Sequence, residues 1–280
     1  GPLFDPYIAI LDSNRFEVAT SDDTDLLLQD STLSTIIPQT GKYFIEVRES
    51  SYRGGNNFYY RLHVGTFPRP LIAFPAGGEV GKILTVNFMG DPSGPIKKNI
   101  QLPNKENLEF RYRVEQNGSI APSPNAIRVC NFPSILEKEP NDSFKTATTT
   151  TLSLPLAFDG IIEKEKDVDY FKFYAKKGQK FNIHAHAQSI SSPLDPVLNL
   201  YDDKGKSIKG SDDANNGRDS LITITIPQDG NYTLRVKDHL YAGGDRFVYR
   251  LESQPFSPKV EASIPMFGNR DTQTRQMIPI

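Results

Sequence analysis

The sequence predicts an all-β protein built from tandem antiparallel β-sandwiches. Short segments alternate apolar and polar residues with a period of two, which is the pattern of a half-buried strand. Turn-forming residues separate these segments, and Gly and Pro are frequent, with 20 and 21 occurrences in 280 residues. Many short strands at this spacing are typical of sandwiches.

The chain contains one module twice. Residues 5–62 and residues 195–251 carry the same motifs in the same order, among them Asp-Pro, Ser-Asp-Asp, Ile-Pro-Gln, Gly-Gly and Tyr-Arg-Leu. The first copy lacks counterparts of residues 156–187, so we expect an open sheet edge or apolar face in it. The middle domain, the C-terminal tail or a second polypeptide is expected to cover that face.

Alternation within the repeat predicts its strands individually. Leu221–Ile226 and Tyr232–Lys237 flank a Pro-Gln-Asp-Gly turn, which predicts a hairpin. Further strands are predicted at Tyr7–Leu11, Lys42–Arg48, Phe58–Val64, Val168–Tyr174, Lys180–Ala187, Val197–Tyr201 and Arg246–Glu252.

Between the copies the pattern changes, and it predicts a small immunoglobulin-like sandwich. Its strands are expected at Lys82–Phe88, Leu108–Arg113 and Ile127–Cys130, and residues 134–143 are expected to link it to the second copy. The predicted order is a partial module (1–65), the immunoglobulin-like domain (66–133), a complete module (134–252), and a further domain's start or a strand-forming tail (253–280). Both ends are expected to be cut from a longer chain.

Composition excludes several partners. Lys and Arg number 32 against 34 Asp and Glu, so the net charge of −2 provides no polycationic surface for nucleic acid or an acidic membrane. No apolar stretch approaches the roughly 18 residues of a membrane span. A single cysteine, Cys130, excludes an intramolecular disulfide and is expected in a core strand.

Four motifs of the second copy follow one another in a recognisable order: Glu139–Asp142, Asp167–Phe173, Asp195–Asp202 and Gly230–Val236. With them, residues 134–252 resemble the bacterial pre-peptidase C-terminal family, and the alternation with immunoglobulin-like domains resembles large planctomycete surface proteins. The resemblance implies jelly-roll sandwiches in a secreted, periplasmic or cell-surface protein. It also implies a non-catalytic role in binding protein or polysaccharide, or in spacing other domains.

Acidic residues at the entrance to this module indicate a calcium site. In an extended segment, alternate residues share one face, so Glu137, Glu139 and Asn141 present their oxygens together. Calcium binds six to eight oxygens, and a turn and a neighbouring strand supply others. The predicted ligands are Glu137, Glu139, Asn141, Asp142, Asp167 and Asp169. The alternative is a solvated acidic linker.

The family resemblance implies the same ion. Collagen-binding modules of the family hold calcium with a Glu-x-Glu-x-Asn-Asp segment and with acids preceding an Asp-Tyr pair. This chain has Lys166 where a further acid is expected, which leaves Asp167 as the available carboxylate there.

Other polar groups have plainer interpretations. The loop Asp212–Asp219 and its counterpart around Asp22 and Asp30 lack the spacing of an EF-hand, so we expect solvated loops. His184 and His186 share one strand face and could hold a transition metal, but spacing suggests no third ligand, and ordinary strand histidines are favoured.

No catalytic residues are predicted. His239 follows Asp238, yet no nucleophile stands at a recognisable spacing. The sequence therefore favours a non-catalytic binding or spacer segment stabilised by calcium. An accessory region of an extracellular hydrolase is one alternative, and a carbohydrate-binding module is another.

A carbohydrate-binding module would need exposed aromatic rings, and the chain has no tryptophan. The visible candidates are Tyr52, Tyr59, Tyr60 and Tyr241. On an alternating strand, Tyr59 and Tyr60 face opposite ways, so at least one of them is expected in the core.

Overall fold

The computed structural model describes residues 4–24, 30–214 and 217–256 of the chain. In these ranges the chain forms 22 strands and one short 3-10 helix, Gln188–Ile190, so the predicted all-β class is confirmed. The tail predicted at 253–280 lies outside the described residues from residue 257 onward, as do parts of both acidic loops. No described helix has the length and hydropathy to span a bilayer.

Three antiparallel strands form the first module. They are Pro6–Leu11 (β1), Glu17–Ser21 (β2) and Phe44–Glu49 (β3). β1 lies in the middle and pairs with both of the others. Two of the predicted strands of this module, in β1 and β3, are confirmed.

Nine short strands surround one core in the middle domain. They are Ile72–Phe74 (β4), Gly77–Glu79 (β5), Ile83–Met89 (β6), Ile96–Gln101 (β7), Arg111–Tyr112 (β8), Glu115–Gln116 (β9), Ser119–Ile120 (β10), Asn125–Ala126 (β11) and Arg128–Cys130 (β12). β4, β6 and β7 form an antiparallel sheet, and β12 pairs with β5 in parallel. Val86, Phe88 and Ile127 lie fully buried in the core. The immunoglobulin-like assignment stays a prediction.

Two five-stranded sheets form the second module. The strands are Ser134–Leu136 (β13), Thr148–Ser153 (β14), Leu156–Ile161 (β15), Val168–Ala175 (β16), Lys180–His186 (β17), Pro196–Tyr201 (β18), Ser207–Ser211 (β19), Leu221–Thr225 (β20), Gly230–Asp238 (β21) and Val248–Pro255 (β22). One sheet has the order β13-β15-β22-β17-β20 and the other β14-β16-β21-β18-β19. The predicted linker thus begins as a strand, because β13 pairs with β15.

Alternation along the strands builds the core between these sheets. On β16, Phe171 and Phe173 point inward, and on β17, Phe181, Ile183 and Ala185 do the same. Intervening residues face outward. Burial of such large side chains stabilises each by about 1.5–3 kcal/mol relative to exposure, so this core holds the two sheets together.

The predicted hairpin between Leu221–Ile226 and Tyr232–Lys237 is wrong. Both segments are strands, but β20 pairs with β17, while β21 pairs with β16 and β18 in the opposite sheet. The turn at residues 227–229 therefore carries the chain from one sheet to the other. Alternation predicts a strand but does not identify its partner, and here longer-range pairing prevails over the sequence neighbour.

The two copies of the repeat share their turn chemistry. The hydroxyl of Tyr43 donates to the carbonyl oxygen of Gln39 at 2.8 Å, and that of Tyr232 donates to Gln228 at 2.7 Å. Tyr43 directly precedes β3 and Tyr232 is the third residue of β21, each after an Ile-Pro-Gln turn. The same motif therefore forms the same local structure in each copy.

No strand forms at Phe58–Val64, contrary to the prediction. Its counterpart β22 pairs with β15 and β17, and the first copy lacks the sequence that would supply both partners. Without them the segment has no ladder to join. Consequently Tyr59 and Tyr60 are 81% and 61% exposed, and the expectation that one of them lies in the core is also wrong.

The first module keeps an open edge among the described residues. Its strand β3 pairs only with β1, whereas the counterpart β21 pairs on both sides. Ile45 on β3 is exposed. No described strand of the middle domain pairs with this edge, so that domain does not complete the sheet. Cover by the tail or by a second polypeptide stays a prediction.

An apolar contact joins the middle domain to the second module. Six buried residues from both parts form one cluster: Ile72, Ala76, Met89, Ala126, Ile190 and Val248. A second small cluster brings Cys130 against Ala157, which confirms that the cysteine is buried. We call this contact region the joint.

Buried ion pairs lie beside these clusters. Arg250 is fully buried, and its guanidinium donates to Asp159 at 2.6 Å and to Glu252 at 2.8 Å. From the middle domain, Arg128 donates to both carboxylate oxygens of Glu252, at 2.9 and 2.8 Å. Two arginines thus balance two carboxylates across the joint, which offsets the cost of burying each charge.

Glu252 is the acid most affected by this arrangement. Burial alone would raise the pKa of its carboxyl group. Hydrogen bonds from His186 and Arg128, with the charge of Arg250, instead hold the pKa far below its usual value. The carboxylate is therefore ionised at any pH at which the protein is handled.

At Gly77 the backbone packs closely against Arg128 and Arg250 of the joint. A Cβ at this position would lie 2.4 Å from the Arg128 carbonyl oxygen and 2.6 Å from the Arg250 guanidinium carbon. We expect Gly77→Ala to lower the free energy of unfolding by about 1–3 kcal/mol, the usual cost of overpacking, as measured by urea denaturation. Gly54→Ala is the control, because a Cβ there meets nothing within 4 Å. Equal effects of the two substitutions would contradict a close-packed joint.

Candidate metal centre

The segment 137–142 crosses from one sheet of the second module to the other. At its start, the Glu137 amide donates to the Asp159 carbonyl at 2.9 Å, extending the ladder of β13 on β15. Near its end, the Tyr170 amide of β16 donates to the Asn141 carbonyl at 3.1 Å. The acidic side chains of the segment are therefore anchored to both sheets.

Asp169 meets this segment from inside the module. It lies on β16 in the inward-facing row of Phe171 and Phe173, and it is fully buried. The alternation of the strand thus places a carboxylate where an apolar residue would ordinarily pack.

Tyr249 of β22 connects two of the acids. Its hydroxyl lies 2.6 Å from Asp169 Oδ2 and 3.1 Å from Glu137 Oε2, and Glu137 Oε1 accepts a hydrogen bond from the Ile161 amide at 2.7 Å. A hydroxyl has one proton to donate, so one of the two acids receives no donor from it. Gly160 makes room, since a Cβ there would lie 2.2 Å from the tyrosine oxygen.

Three carboxylates converge at this point. One oxygen from each of Glu137, Glu139 and Asp169 lies within 4.8 Å of the others. The Asn141 side chain, which is fully buried, has its amide end between Glu139 Oε1 and Asp169 Oδ1, at 3.1 and 2.9 Å. With its nitrogen toward the acids it donates to both. With its oxygen there, it completes a ring of oxygens that needs either a cation or a proton on one of the acids.

The remaining two predicted ligands form an outer pair. Asp167 accepts hydrogen bonds from the Glu163 and Val168 amides, at 2.7 and 3.2 Å. Its carboxyl also contacts that of Asp142, and both charges act on Glu139. All six residues therefore belong to one group, which we call the acidic cluster.

Burial and mutual repulsion change the acidity of the cluster. Burial raises the pKa of Glu137 to about 7 and, together with the charge of Glu137, raises that of Asp169 to about 9. The pKa values of Glu139 and Asp167 are also raised, chiefly by burial. The folded chain thus holds carboxyl groups that ionise with difficulty unless a cation compensates them.

The sequence predicts the six residues of the acidic cluster but not all of the residues that contact them. Alternation in the segment and the Asp-x-Asp pair predict these five acids and one amide. Tyr249 and Gly160 were missed, because they come from distant parts of the chain and their types suggest no metal chemistry. That the six residues bind calcium stays a prediction.

Other predicted groups behave differently. Asp219 was expected in a solvated loop, but it accepts hydrogen bonds from three backbone amides, those of residues 187–189. His239 lies 3.1 Å from Asp212 rather than forming a pair with Asp238, whose carboxylate instead accepts bonds from the amides of Leu240 and Ala242.

The loop around Asp22 keeps its expected exposed character, and Ser50 donates to Asp22 there at 3.2 Å. Tyr52 and Tyr241 are exposed, at 79% and 47%. They lie on different modules and form no shared ring platform with each other.

Comparison with known proteins places part of this module in a family. The profile of the bacterial pre-peptidase C-terminal domain matches residues 167–238. The resemblance inferred from the sequence is confirmed over these residues, which include Asp167 and Asp169 of the acidic cluster. The alternation with immunoglobulin-like domains is not tested by this match.

One curated relative and two solved structures are similar to the chain. A probable subtilase-type serine protease of Deinococcus radiodurans is 39% identical over 99 residues, which are 35% of this chain and 14% of that protein. The pre-peptidase C-terminal domain of a Bacillus anthracis collagenase aligns with 42% of this chain and 99% of its own, at 15% identity and a TM-score of 0.32. A periplasmic inhibitor of g-type lysozyme from Aeromonas hydrophila aligns with 39% and 97%, at 15% identity and a TM-score of 0.29.

In calcium-free solution the second module is expected to lose stability as the pH rises. In the unfolded chain Glu137 and Asp169 have their ordinary pKa values, 4.5 and 3.8, whereas in the folded chain the pKa values are about 7 and about 9. The folded state therefore binds more protons across this window, so the free energy of unfolding falls with pH. The shift at Glu137 alone corresponds to about 3 kcal/mol.

Urea denaturation in chelator at about pH 5, 6.5 and 8 measures this slope. Asp169→Asn removes one titrating group and should flatten the decline. If the free energy of unfolding instead rises over the same pH window, with the same slope in the variant, the acids of the cluster do not have raised pKa values in the folded chain.

Proposed function

We propose that this chain is a non-catalytic, calcium-stabilised accessory segment of a larger secreted or cell-surface bacterial protein. Two observations support the proposal. The family match covers the centre of the second module, and domains of this family are non-catalytic accessory parts of extracellular proteins. The acidic cluster is the single observation that carries the calcium part.

The chemistry of the cluster suits calcium. Its side chains offer carboxylate and amide oxygens, with no nitrogen or sulfur ligand among the six residues. Hard cations prefer such oxygens, and calcium tolerates the irregular geometry that three converging carboxylates and an amide provide. Glu137, Glu139, Asn141 and Asp169 would hold the ion, with Asp142 and Asp167 adding charge beside it. The bound ion would neutralise the cluster.

An ion bound at the acidic cluster would also fix the orientation of the middle domain relative to the second module. Segment 137–142 starts directly after β13, and the joint begins on the other side of that strand, where Arg250 donates to Ser134 at 2.9 Å. Fixing the segment therefore fixes the approach of the middle domain to the second module. Such a pair of domains would act as a spacer of constant orientation, with its partner ligand a protein or a polysaccharide.

The relative favours one kind of parent protein. A probable subtilase-type serine protease shares 39% identity over 99 residues, which supports an accessory region appended to an extracellular hydrolase. The match spans 14% of that protein, so its protease activity is not transferred to this chain. A carbohydrate-binding module is less favoured, because the chain has no tryptophan and the exposed Tyr52 and Tyr241 lie on different modules.

Calcium is expected to raise the melting temperature of the chain. An ion bound only by the folded state, at about 100 times its dissociation constant, adds roughly 2.7 kcal/mol of stability. Thermal unfolding of tag-free protein in calcium and in excess chelator measures the effect. Magnesium at the same concentration should stabilise less, because it demands a tighter octahedral shell.

Variants separate the acidic cluster from surface charge in general. Glu139→Gln and Asp169→Asn should lose the calcium response, and Asp169→Asn should melt higher than the parent chain in chelator because it removes a buried acid that must keep its proton in the folded state. Asp203→Asn, at an exposed acid outside the cluster, should respond to calcium like the parent. Equal melting of the parent in calcium and chelator would refute calcium binding.

The purified chain should not turn over peptide, ester or glycoside substrates. The sequence contains no nucleophile, base and orienting group at a recognisable spacing. Fluorogenic substrates of each class provide the assay. Turnover that a point substitution within this chain abolishes would contradict the accessory role, whereas activity that survives every such substitution reports a contaminant.

A further inference from the structure

Two histidines and an aspartate of the second module converge away from the acidic cluster. His184 and His186 lie on β17 on either side of Ala185, which points into the core, so both rings lie on the outer face of the sheet. Their ring centroids are 4.1 Å apart. One nitrogen from each ring and one carboxylate oxygen of Asp219 lie within 4.8 Å of one another.

Asp219 is held in place by backbone donors. Its Oδ1 accepts hydrogen bonds from the Ala187 and Gln188 amides, at 3.0 and 2.8 Å, and its Oδ2 accepts one from Ser189 at 3.2 Å. These bonds already fix the carboxylate near the two rings, so a ligand that binds there would cost little side-chain entropy of Asp219. Oδ2 has a single donor, so it keeps a lone pair for another partner.

His186 has the surroundings of a metal ligand. Its Nε2 lies 3.4 Å from Glu252 Oε2, and Nδ1 lies 3.2 Å from the Ser189 hydroxyl. Ligating histidines ordinarily turn their other nitrogen toward a carboxylate, which sets the tautomer and the ring orientation. Here Arg128 and Arg250 of the joint hold that carboxylate in place. The Ser189 hydroxyl lies beside Nδ1, and the amide of the same serine donates to Asp219.

Both rings are neutral at physiological pH, the form that binds metals. Burial and the neighbouring ring lower the pKa of His184 to about 4, and burial lowers that of His186. The His184 side chain makes no hydrogen bond or ion pair with the residues that the structure describes, so its ring nitrogens can accept a new partner.

We propose that His184, His186 and Asp219 bind a divalent transition metal of the zinc type. Two imidazoles and a carboxylate suit zinc, cobalt or nickel rather than calcium, which requires six to eight oxygens. Ligand atoms around zinc lie roughly 3.4 Å apart, given bonds of about 2.0–2.1 Å. Side-chain rotation would have to bring the three atoms, which lie within 4.8 Å of one another, to that spacing, and water would take the remaining position.

The site would clamp the loop before β20 onto β17, next to the joint. It would be independent of the calcium site, because the two groups share no residue and differ in donor type. Zinc would then stabilise the chain in addition to calcium, and removal of either ion would leave the response to the other intact.

Titration of tag-free full chain with zinc chloride tests the proposal, after treatment with chelator and dialysis into calcium. Calorimetry should give one zinc per chain, and cobalt should give the visible absorption of a low-coordinate nitrogen and oxygen site. His184→Gln should weaken zinc binding roughly 100-fold and abolish the cobalt bands, while it retains the chelator melting temperature and the calcium response. His63→Gln, at an exposed histidine of the first module, controls for adventitious binding.

Each outcome decides the matter. Stoichiometric binding lost in His184→Gln but kept in His63→Gln supports the site, and Asp169→Asn should leave zinc binding unchanged. If zinc neither binds nor shifts the melting temperature of the parent chain, the proposal fails. It fails equally if His184→Gln binds zinc as the parent does, and neither result would bear on the calcium proposal.

Discussion

Negative charge gathered where the chain enters the second module constrains everything around it. Glu137, Glu139 and Asp169 bring carboxylate oxygens within 4.8 Å of one another around the buried amide of Asn141. Burial, and after it the repulsion between the acids, raises the pKa values of Glu137 and Asp169. Core packing of β13, β15, β16 and β22 holds the backbone of Glu137 and Asp169 in place, and Glu139 completes the group from the exposed side.

A second buried group of charges lies a few residues away along β22, and in it the carboxylates are balanced by arginines of the chain itself. At the joint, Arg250 and Arg128 supply as many positive charges as Asp159 and Glu252 supply negative ones. That group is complete without any added ion, and it favours a fixed contact between the middle domain and the second module. The acidic cluster has no comparable pair of arginines among the described contacts of its members. The difference between the two groups is the physical basis for assigning a cation to the cluster.

Prediction from sequence succeeded where the information is local. Period-two alternation found most strands of the second module, and the extended spacing in segment 137–142 found the acidic cluster. It failed where partners are distant: residues 221–226 and 232–237 looked like a hairpin because alternation does not record which sheet a strand joins. Residues 58–64 have the composition of a strand, but the first module lacks the sequence that would pair with them.

Distance along the chain also explains the residues that were missed. Tyr249 reaches Asp169 from 80 residues away, and Asp219 reaches the amides next to His186 from about 30. No motif links such pairs, and only the closed sandwich brings them together. The third ligand that spacing could not supply for the two histidines was therefore present in the chain as a loop aspartate.

The orientation of the Asn141 amide is the most direct test of the calcium assignment. A high-resolution crystal structure of the chain grown with calcium should contain one ion bound by oxygens of Glu139, Asn141 and Asp169 at about 2.3–2.6 Å. The amide oxygen should then face the acids. If the amide nitrogen instead donates to Glu139 and Asp169 in that crystal, with protonated acids and no ion between them, the cluster is a hydrogen-bonded core group and the calcium account is wrong.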